Sequence, residues 1–189
     1  MTRYIIYKDT LFEQANLTLI LGKPTFETLH KIWNKIKSNA KSVYSNIGGG
    51  EHGNLGLVIT NAQYTLISLT PFAYPNHPGP LIITDGTTAH GNSNMWIAHT
   101  EEVRLFYEVT GVEQALVQQI VGTVEEVYLA DIRNRNTDYI NNTVVGVLTH
   151  LKENGGRLMT HELLEREEIL NKTIYNPRDP ITTVLYAVK

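Results

Sequence analysis

The stretch "SNIGGGEHGNLGLVITNAQYTLIS", Ser45–Ser68, decides the fold class of this chain. Three consecutive glycines lead into the runs "LGLVIT" and "YTLIS", which are rich in β-branched and aromatic residues. Such runs favour β-strands, and asparagine tolerates the backbone angles of a tight turn. The pattern therefore predicts a β-hairpin that turns across Asn61, Ala62 and Gln63.

The glycine run lacks the pattern of a nucleotide-binding loop. A Walker loop needs a lysine and a hydroxyl residue directly after its last glycine, whereas Asn54 and Leu55 follow Gly53. A dinucleotide fingerprint needs a strand before the glycines, and here a helical pattern precedes them. The simplest interpretation is a flexible loop in which glycine permits positive φ. The alternative is a contact loop for partners or other copies, with the residues Gly48, Gly49, Gly50 and His52.

A long helix is predicted before the glycines, over "KPTFETLHKIWNKIKSNAKSV", Lys23–Val43. Thr25 has the residue type and position of an N-cap. Apolar residues then recur at spacings of three and four, which is typical of one buried helix face. These residues are Phe26, Leu29, Trp33, Ile36 and Ala40.

Positive charge is concentrated in this first part of the chain. Residues 1–50 carry seven Lys or Arg and three Asp or Glu, whereas residues 51–189 carry nine and sixteen. A lysine-rich helix face is suited to RNA phosphates or an acidic partner, although most such faces are simply solvated. The candidate contact residues are Lys31, Lys35, Lys37 and Lys41.

The segment that follows the predicted hairpin is rich in proline. Residues 70–80, "TPFAYPNHPGP", contain four prolines, which predicts an extended or turning segment because proline has no amide donor. The run "LIIT", residues 81–84, predicts a third short strand that ends at Asp85 and Gly86.

Residues from Ser93 onward show a helical period. We expect one helix around Trp96–Tyr107, an interruption at Gly111, and a second helix from Val112. A third helix opens at Thr137 or Asp138 and stops at Gly155, and a fourth begins at Thr160. The last residues end inside another apolar pattern, Ile181 to Val188, which indicates a fragment or an engineered boundary.

These elements predict an α+β fold. Residues 1–92 form a mixed part with one long helix and a short antiparallel hairpin or sheet. Residues 93–189 form a helical bundle of about four helices, truncated at its C-terminus. Helices that are close in sequence are expected to pack antiparallel through short loops.

Composition excludes several kinds of chemistry. The chain has no cysteine, which removes disulfides, thiolate catalysis and cysteine zinc sites. No apolar run reaches the roughly 18 residues of a membrane span, so we expect an intracellular, cytoplasmic protein. The sequence "HELLE" at His161 has glutamate where a zincin needs its second histidine. We therefore expect no metal, no cofactor and no membrane association.

An enzyme is one of the alternatives for this chain. The sequence has no G-x-S-x-G elbow, and its paired glutamates lie among polar neighbours. A hydrolase-type site would have to be assembled from distant residues, and the candidates are His52, His90 and His99. It would require a deep pocket with at least two of them within hydrogen-bonding reach of an acid.

Several phrases together resemble a known family. They are "LGKPTFETLHKIWNKIKSNAKSV", "GGGEHGNLGLVITNAQY", "PNHPGPL", "GVEQALVQQIVGTVEEVYLADIRNRNTDYINNTVVGVLTHLKENGGRLMTHELL" and "YNPRDPITTV". The chain is similar to hypothetical Gag-like proteins of retrotransposon-type elements in microbial eukaryotes, diatoms among them. Its second half resembles the capsid region of copia-type Gag, in which helices precede a Tyr-x-Pro-x-x-Pro-Ile turn.

That resemblance implies a structural role. Gag capsid regions associate with themselves into shells around element RNA, so we expect a homo-oligomer with weak RNA binding, no enzymatic activity and no small-molecule substrate. The first alternative is an adaptor that binds a protein partner through the edge of the predicted hairpin or through the proline-rich strip. The second alternative is the histidine-containing hydrolase-type enzyme.

Overall fold

The computed structural model describes residues 12–83, 86, 88–155, 164, 167 and 168. Its α-helices within this part of the chain are α1 Phe26–Ser42, α2 Asn61–Tyr64, α3 Ala89–Val121 and α4 Val144–Asn154. Short 3-10 helices cover Ile47–Gly49, Leu55–Leu57, Glu126–Tyr128 and Ala130–Ile132. Extended and turning segments connect these elements.

The predicted first helix forms, but its buried face differs from the predicted one. Thr25 is the N-cap and makes a reciprocal capping box with Thr28. Ile32 and Asn39 belong to the buried face, whereas Phe26 is 39% exposed and Trp33 is half-buried. The true core face is therefore rotated away from Phe26 and Trp33, which lie along its flank.

The predicted hairpin, and with it the α+β class, is wrong. No strand occurs in the described residues, which show one isolated β-bridge, between Asn134 and Asp138. The run "LGLVIT" forms a 3-10 helix and a turn, and the predicted turn residues form α2. The Gln63 N–H donates to the Thr60 hydroxyl, and the Thr60 N–H donates to the Gln63 side-chain oxygen. This capping box stabilises a helical turn where a hairpin was expected. Residues 81–83 of the predicted third strand are also irregular.

Helix α3 runs without interruption through Gly111, where a break was predicted. Glycine inside a helix costs only about 1 kcal/mol. The residues on either side, Val109 and Val112, are buried, and this burial outweighs the cost. The helix ends at Val121, and Gly122 is its C-cap.

The last described helix starts later than predicted. Thr143, rather than Thr137 or Asp138, is the N-cap of α4, and its hydroxyl accepts a hydrogen bond from the Gly146 N–H. Gly155 follows the helix as predicted and donates to Leu151. The helix predicted from Thr160 and the apolar pattern at residues 181–188 lie outside the described residues, apart from positions 164, 167 and 168.

One hydrophobic core joins α1, the second half of α3 and α4, which contact one another pairwise. Its centre consists of side chains with no solvent exposure: Ile36, Ala40, Tyr64, Ala115, Leu116, Val117, Ile120, Leu129, Val144 and Val147. The described C-terminal part is helical, as expected. Helix α1 of the N-terminal part packs against α3 and α4 in the same core. The predicted division between residues 92 and 93 falls in the first turn of α3 and stays a prediction.

Candidate functional site

The first half of α3 lies at the edge of the core, against which the partly buried Leu105 packs. None of residues 89–108 is buried, whereas the second half of the helix contains Val109 and seven further buried residues. At 1.5 Å per residue, this first half is about 30 Å long. We call residues 89–108 the arm.

The proline-rich strip lies along the arm. The Tyr74 hydroxyl is 3.2 Å from the Thr110 hydroxyl, where the arm meets the core. The His77 ring packs edge-on against Phe106, with ring centroids 4.9 Å apart. Further along, His99 Nε2 lies 2.9 Å from the carbonyl oxygen of Gly79. The strip therefore covers one side of the arm as an extended segment, as its prolines predict.

The neighbouring side of the arm exposes large apolar groups, and Tyr107 at its edge also contacts the His77 ring of the strip, with ring centroids 6.0 Å apart. Trp96, Val103 and Tyr107 follow one another at helical spacing and define what we call the arm stripe. Trp96 is 57% exposed and Tyr107 is 45% exposed, while Ile97 beside them is 61% exposed. Contiguous exposed apolar groups of this size mark interaction surfaces.

The arm has acidic edges. Arg104 forms ion pairs with Glu101 at 2.9 Å and with Glu108 at 2.7 Å. Glu102 adds a further carboxylate, so residues 89–108 carry three acids and one base. These surface pairs contribute little stability, because exposed charges are well solvated.

A largely apolar cleft lies between α1, the α2 region and α4. Its volume is about 520 Å³, within the range of roughly 300–1,000 Å³ that is typical of ligand sites. We call it the α1–α4 cleft. Its lining residues are Phe26, Leu29, His30, Trp33, Val58, Thr60, Gln63, Val145, Leu148, Thr149 and Lys152.

The charged groups at this cleft are basic. Lys152 lines it, and Lys37 Nζ lies 4.2 Å from the centroid of the Trp33 ring, a cation–π contact. No carboxylate is among the described residues that line it. The Trp33 Nε1–H is buried and has no acceptor among the described residues.

The predicted lysine face divides into two parts. Lys31 and Lys35 share one flank of α1, because they are four residues apart, and Lys37 and Lys41 share another. At 100° per residue, the second pair lies on the side of Trp33, next to the cleft. Lys31 and Lys41 are exposed, and Lys35 Nζ is 3.5 Å from the Thr18 hydroxyl. RNA contact by these residues stays a prediction.

The second, smaller cleft contains a buried acid. Its volume is about 320 Å³, and Glu113 and Tyr74 line it together with Thr60 and Val145, which also line the larger cleft. Burial raises the pKa of the Glu113 carboxyl, and hydrogen bonds from Tyr74 and the Val144 N–H partly offset that rise. Burial also raises the pKa of Tyr74 to about 12. The carboxyl accepts a hydrogen bond from the N–H of Val144, the first residue of α4. A carboxylate at a helix N-terminus is stabilised by the helix dipole, so Glu113 has a structural role there.

The glycine loop packs against the core. Gly48 is buried, and its carbonyl accepts hydrogen bonds from Tyr64 at 3.0 Å and Ser68 at 2.9 Å. Gly48, Gly49 and Gly50 all have positive φ, so the loop needs glycine for its conformation. His52 contacts the Ile67 carbonyl at 2.9 Å. Gly49 alone of the candidate contact residues is exposed, and a contact role for this loop stays a prediction.

The three candidate histidines do not form a common site. His52 contacts a backbone carbonyl, His90 contacts Asn94, and His99 contacts Gly79. None of the three lines either cleft. Within the described residues, no group of three or more His, Asp or Glu has the arrangement of a metal site.

The sequence pattern did not identify the cleft or the arm. Phe26 and Trp33 fit the apolar period of α1 and were assigned to the core. The signals available were the apolar stripe of Trp96, Val103 and Tyr107 and the capping-box sequence Thr60–Gln63.

Comparison with known proteins adds no identification: no family model, no curated protein and no solved structure matches this chain. Among the helices of the described residues, none combines the length and the apolar character needed to cross a membrane.

Proposed function

We propose that this chain is a self-assembling structural protein of the Gag or capsid kind. The observation that carries the proposal is the arm: it exposes Trp96, Ile97 and Tyr107 on a helical segment that contributes no buried residue to the core. Burying aromatic side chains of this kind is a main source of energy in protein association. The resemblance to Gag-like sequences supports the same role.

The adaptor alternative uses other surfaces of the chain, the proline-rich strip or the edge of the predicted hairpin. Part of the strip packs against α3, whereas Tyr74 at 41% exposure and other residues of the strip remain exposed for the adaptor alternative. The hairpin edge of that alternative does not exist in the structure. Self-association uses Trp96 and Ile97 of the arm, which are more exposed than Tyr74 of the strip, and it is therefore the favoured function.

Sedimentation velocity over a wide range of protein concentration tests this proposal. The chain is expected to show weight-average mass that rises with concentration, and Trp96→Ala is expected to shift the rise to at least tenfold higher concentration. Val127→Ala is the matched control, because Val127 is 69% exposed and lies away from the arm in the sequence. A monomer at all concentrations up to the solubility limit would contradict the proposal.

RNA binding is a separate part of the proposal. The candidate lysines and the excess positive charge of residues 1–50 support a weak contact with phosphates. Its signature is an affinity that falls steeply as salt is raised, because counterions are released from the nucleic acid.

A further inference from the structure

We infer that the arm stripe of one copy docks in the α1–α4 cleft of a second copy. This inference rests on the proposed function and specifies the contact through which the copies assemble. It commits to a second copy of this chain as the occupant of the cleft.

The two surfaces are separate within one copy. None of the residues that line the cleft belongs to α3, and Trp96 is 57% exposed. Within the described residues, the stripe therefore does not enter the cleft of its own chain. Each copy then presents one stripe and one cleft.

The chemistry of the two surfaces is complementary. The cleft has apolar walls with Lys37 and Lys152 beside them, and none of the described residues that line it is acidic. The arm stripe is apolar and aromatic, and residues 89–108 carry three acids against one base. Opposite charges at the rim would orient the two copies, and the apolar groups would supply most of the binding energy.

The size of the cleft and an unsatisfied donor favour an inserted side chain. A volume of about 520 Å³ is enough for an aromatic group and part of its neighbours. Trp33 lines the cleft, and its Nε1–H has no acceptor among the described residues. A hydroxyl or carbonyl that enters with the arm would supply one.

The contact joins two different surfaces, so it is heterologous. Such contacts produce closed rings or open chains rather than isolated dimers, because each copy keeps one unused surface. This geometry is suited to a protein that builds large assemblies.

Single-cysteine variants test the contact directly, because the natural chain has no cysteine. Thr149→Cys places a thiol at the exposed rim of the cleft, and Thr100→Cys places one on the arm, four residues from Trp96. We expect a short bis-maleimide to join these two variants when they are mixed. Thr149→Cys mixed with Ala130→Cys is the matched control, since Ala130 is exposed and belongs to neither surface.

The outcomes separate this inference from the proposed function. Cross-links that need both Thr149→Cys and Thr100→Cys support the inference. Sedimenting assemblies in which Thr100→Cys cross-links only with itself would overturn it and leave self-assembly intact, since the arms would then pair with each other. Absence of assemblies by sedimentation would overturn both.

A charge substitution in the cleft gives a second measurement. Thr149→Glu is exposed and should leave folding intact, but it places a carboxylate against the acidic arm. We expect it to raise the concentration required for assembly at least tenfold, while Ala130→Glu changes it less than twofold. Equal behaviour of these two variants would also overturn the inference.

Discussion

Asn39 Nδ2 donates a hydrogen bond of 2.8 Å to Gln119 Oε1, and this bond joins α1 to α3 inside the core. Asn39 also accepts from the Gln14 N–H at 2.8 Å and donates to the Gln14 carbonyl at 3.0 Å. Gln119 donates to the carbonyls of Gln14 and Ala15. The side-chain amides of Asn39 and Gln119 therefore hold the segment before α1 against both helices. Both amides donate to the carbonyl of Gln14.

We expect Asn39→Ala to lower the free energy of unfolding by about 3 kcal/mol, because it leaves several buried groups without partners. Urea denaturation measures the loss. Asn34→Ala, an exposed position on the same helix, should change stability by less than about 0.5 kcal/mol. The double variant Asn39→Ala/Gln119→Ala should lose less than the sum of the single variants, and additive losses would contradict this coupling.

Gly53 is expected to tolerate no side chain. Its φ is +53°, and an added Cβ would lie 2.5 Å from the Lys41 carbonyl oxygen and 2.6 Å from that of Val43. Gly50 in the same loop has a φ of +82°, but its nearest neighbour would be 3.7 Å away. Gly50→Ala should therefore cost only the left-handed backbone strain, about 1–2 kcal/mol, and Gly53→Ala should cost clearly more. Similar thermal midpoints for the two variants would contradict a steric role for Gly53.

Glu113 makes stability depend on pH. Its pKa in the folded chain is raised, chiefly by burial, so its contribution to stability is fully present below the unfolded pKa of about 4.3. That contribution is lost as pH rises through the folded pKa. Glu113→Gln does not titrate and can still accept from the Val144 N–H. We therefore expect its stability relative to wild type to increase as pH rises from about 4.3 towards neutrality.

Denaturation midpoints at several pH values measure this change. Glu153→Gln is the control, because Glu153 is an exposed residue of α4. If Glu113→Gln followed the wild-type pH dependence throughout, a raised pKa of Glu113 would be ruled out.

The two lysine pairs of α1 are expected to have different roles. Lys37 and Lys41 lie on the flank next to the cleft, so Lys37→Gln/Lys41→Gln should weaken assembly. Lys31→Gln/Lys35→Gln should instead weaken binding of single-stranded RNA and reduce the slope of log K against log salt by about 1.4, the value for two phosphate contacts. Filter binding over a salt series and sedimentation measure the two effects. Identical slopes for both double variants would contradict this division.

Local signals in the sequence identified the elements whose hydrogen bonds are local. The Thr25 cap, the extent of α1 and the stop at Gly155 were predictable, since each depends on residues within one or two turns. The burial of Asn39 was not, because its partner Gln119 is 80 positions away. The side of α1 that faces the core depends on contacts of this kind, and the apolar period alone could not choose between Ile32 and Trp33.

The hairpin prediction failed for a different reason. The run Leu57–Ile59 is buried, but a short apolar run fits a 3-10 turn as well as a strand. The Thr60 and Gln63 capping box was visible in the sequence and indicated a helix start. At Gly111 the intrinsic cost of glycine was overestimated relative to the burial on either side.

The candidate site could not be predicted, because it consists of relationships between distant segments. Phe26, Val58 and Leu148 meet in one cleft only once the chain has folded. The arm is recognisable only when the second half of α3 is seen to be buried and the first half is not.

The chain contains two tryptophans, and they divide between the cleft and the arm. Trp33 is shielded and has an ammonium group over its ring, whereas Trp96 is open to water. The two tryptophans can therefore be distinguished by fluorescence. Trp33 should emit at shorter wavelength, and Trp96 should be quenched by acrylamide. The natural chain thus carries an intrinsic spectroscopic reporter for each surface, and neither requires a label.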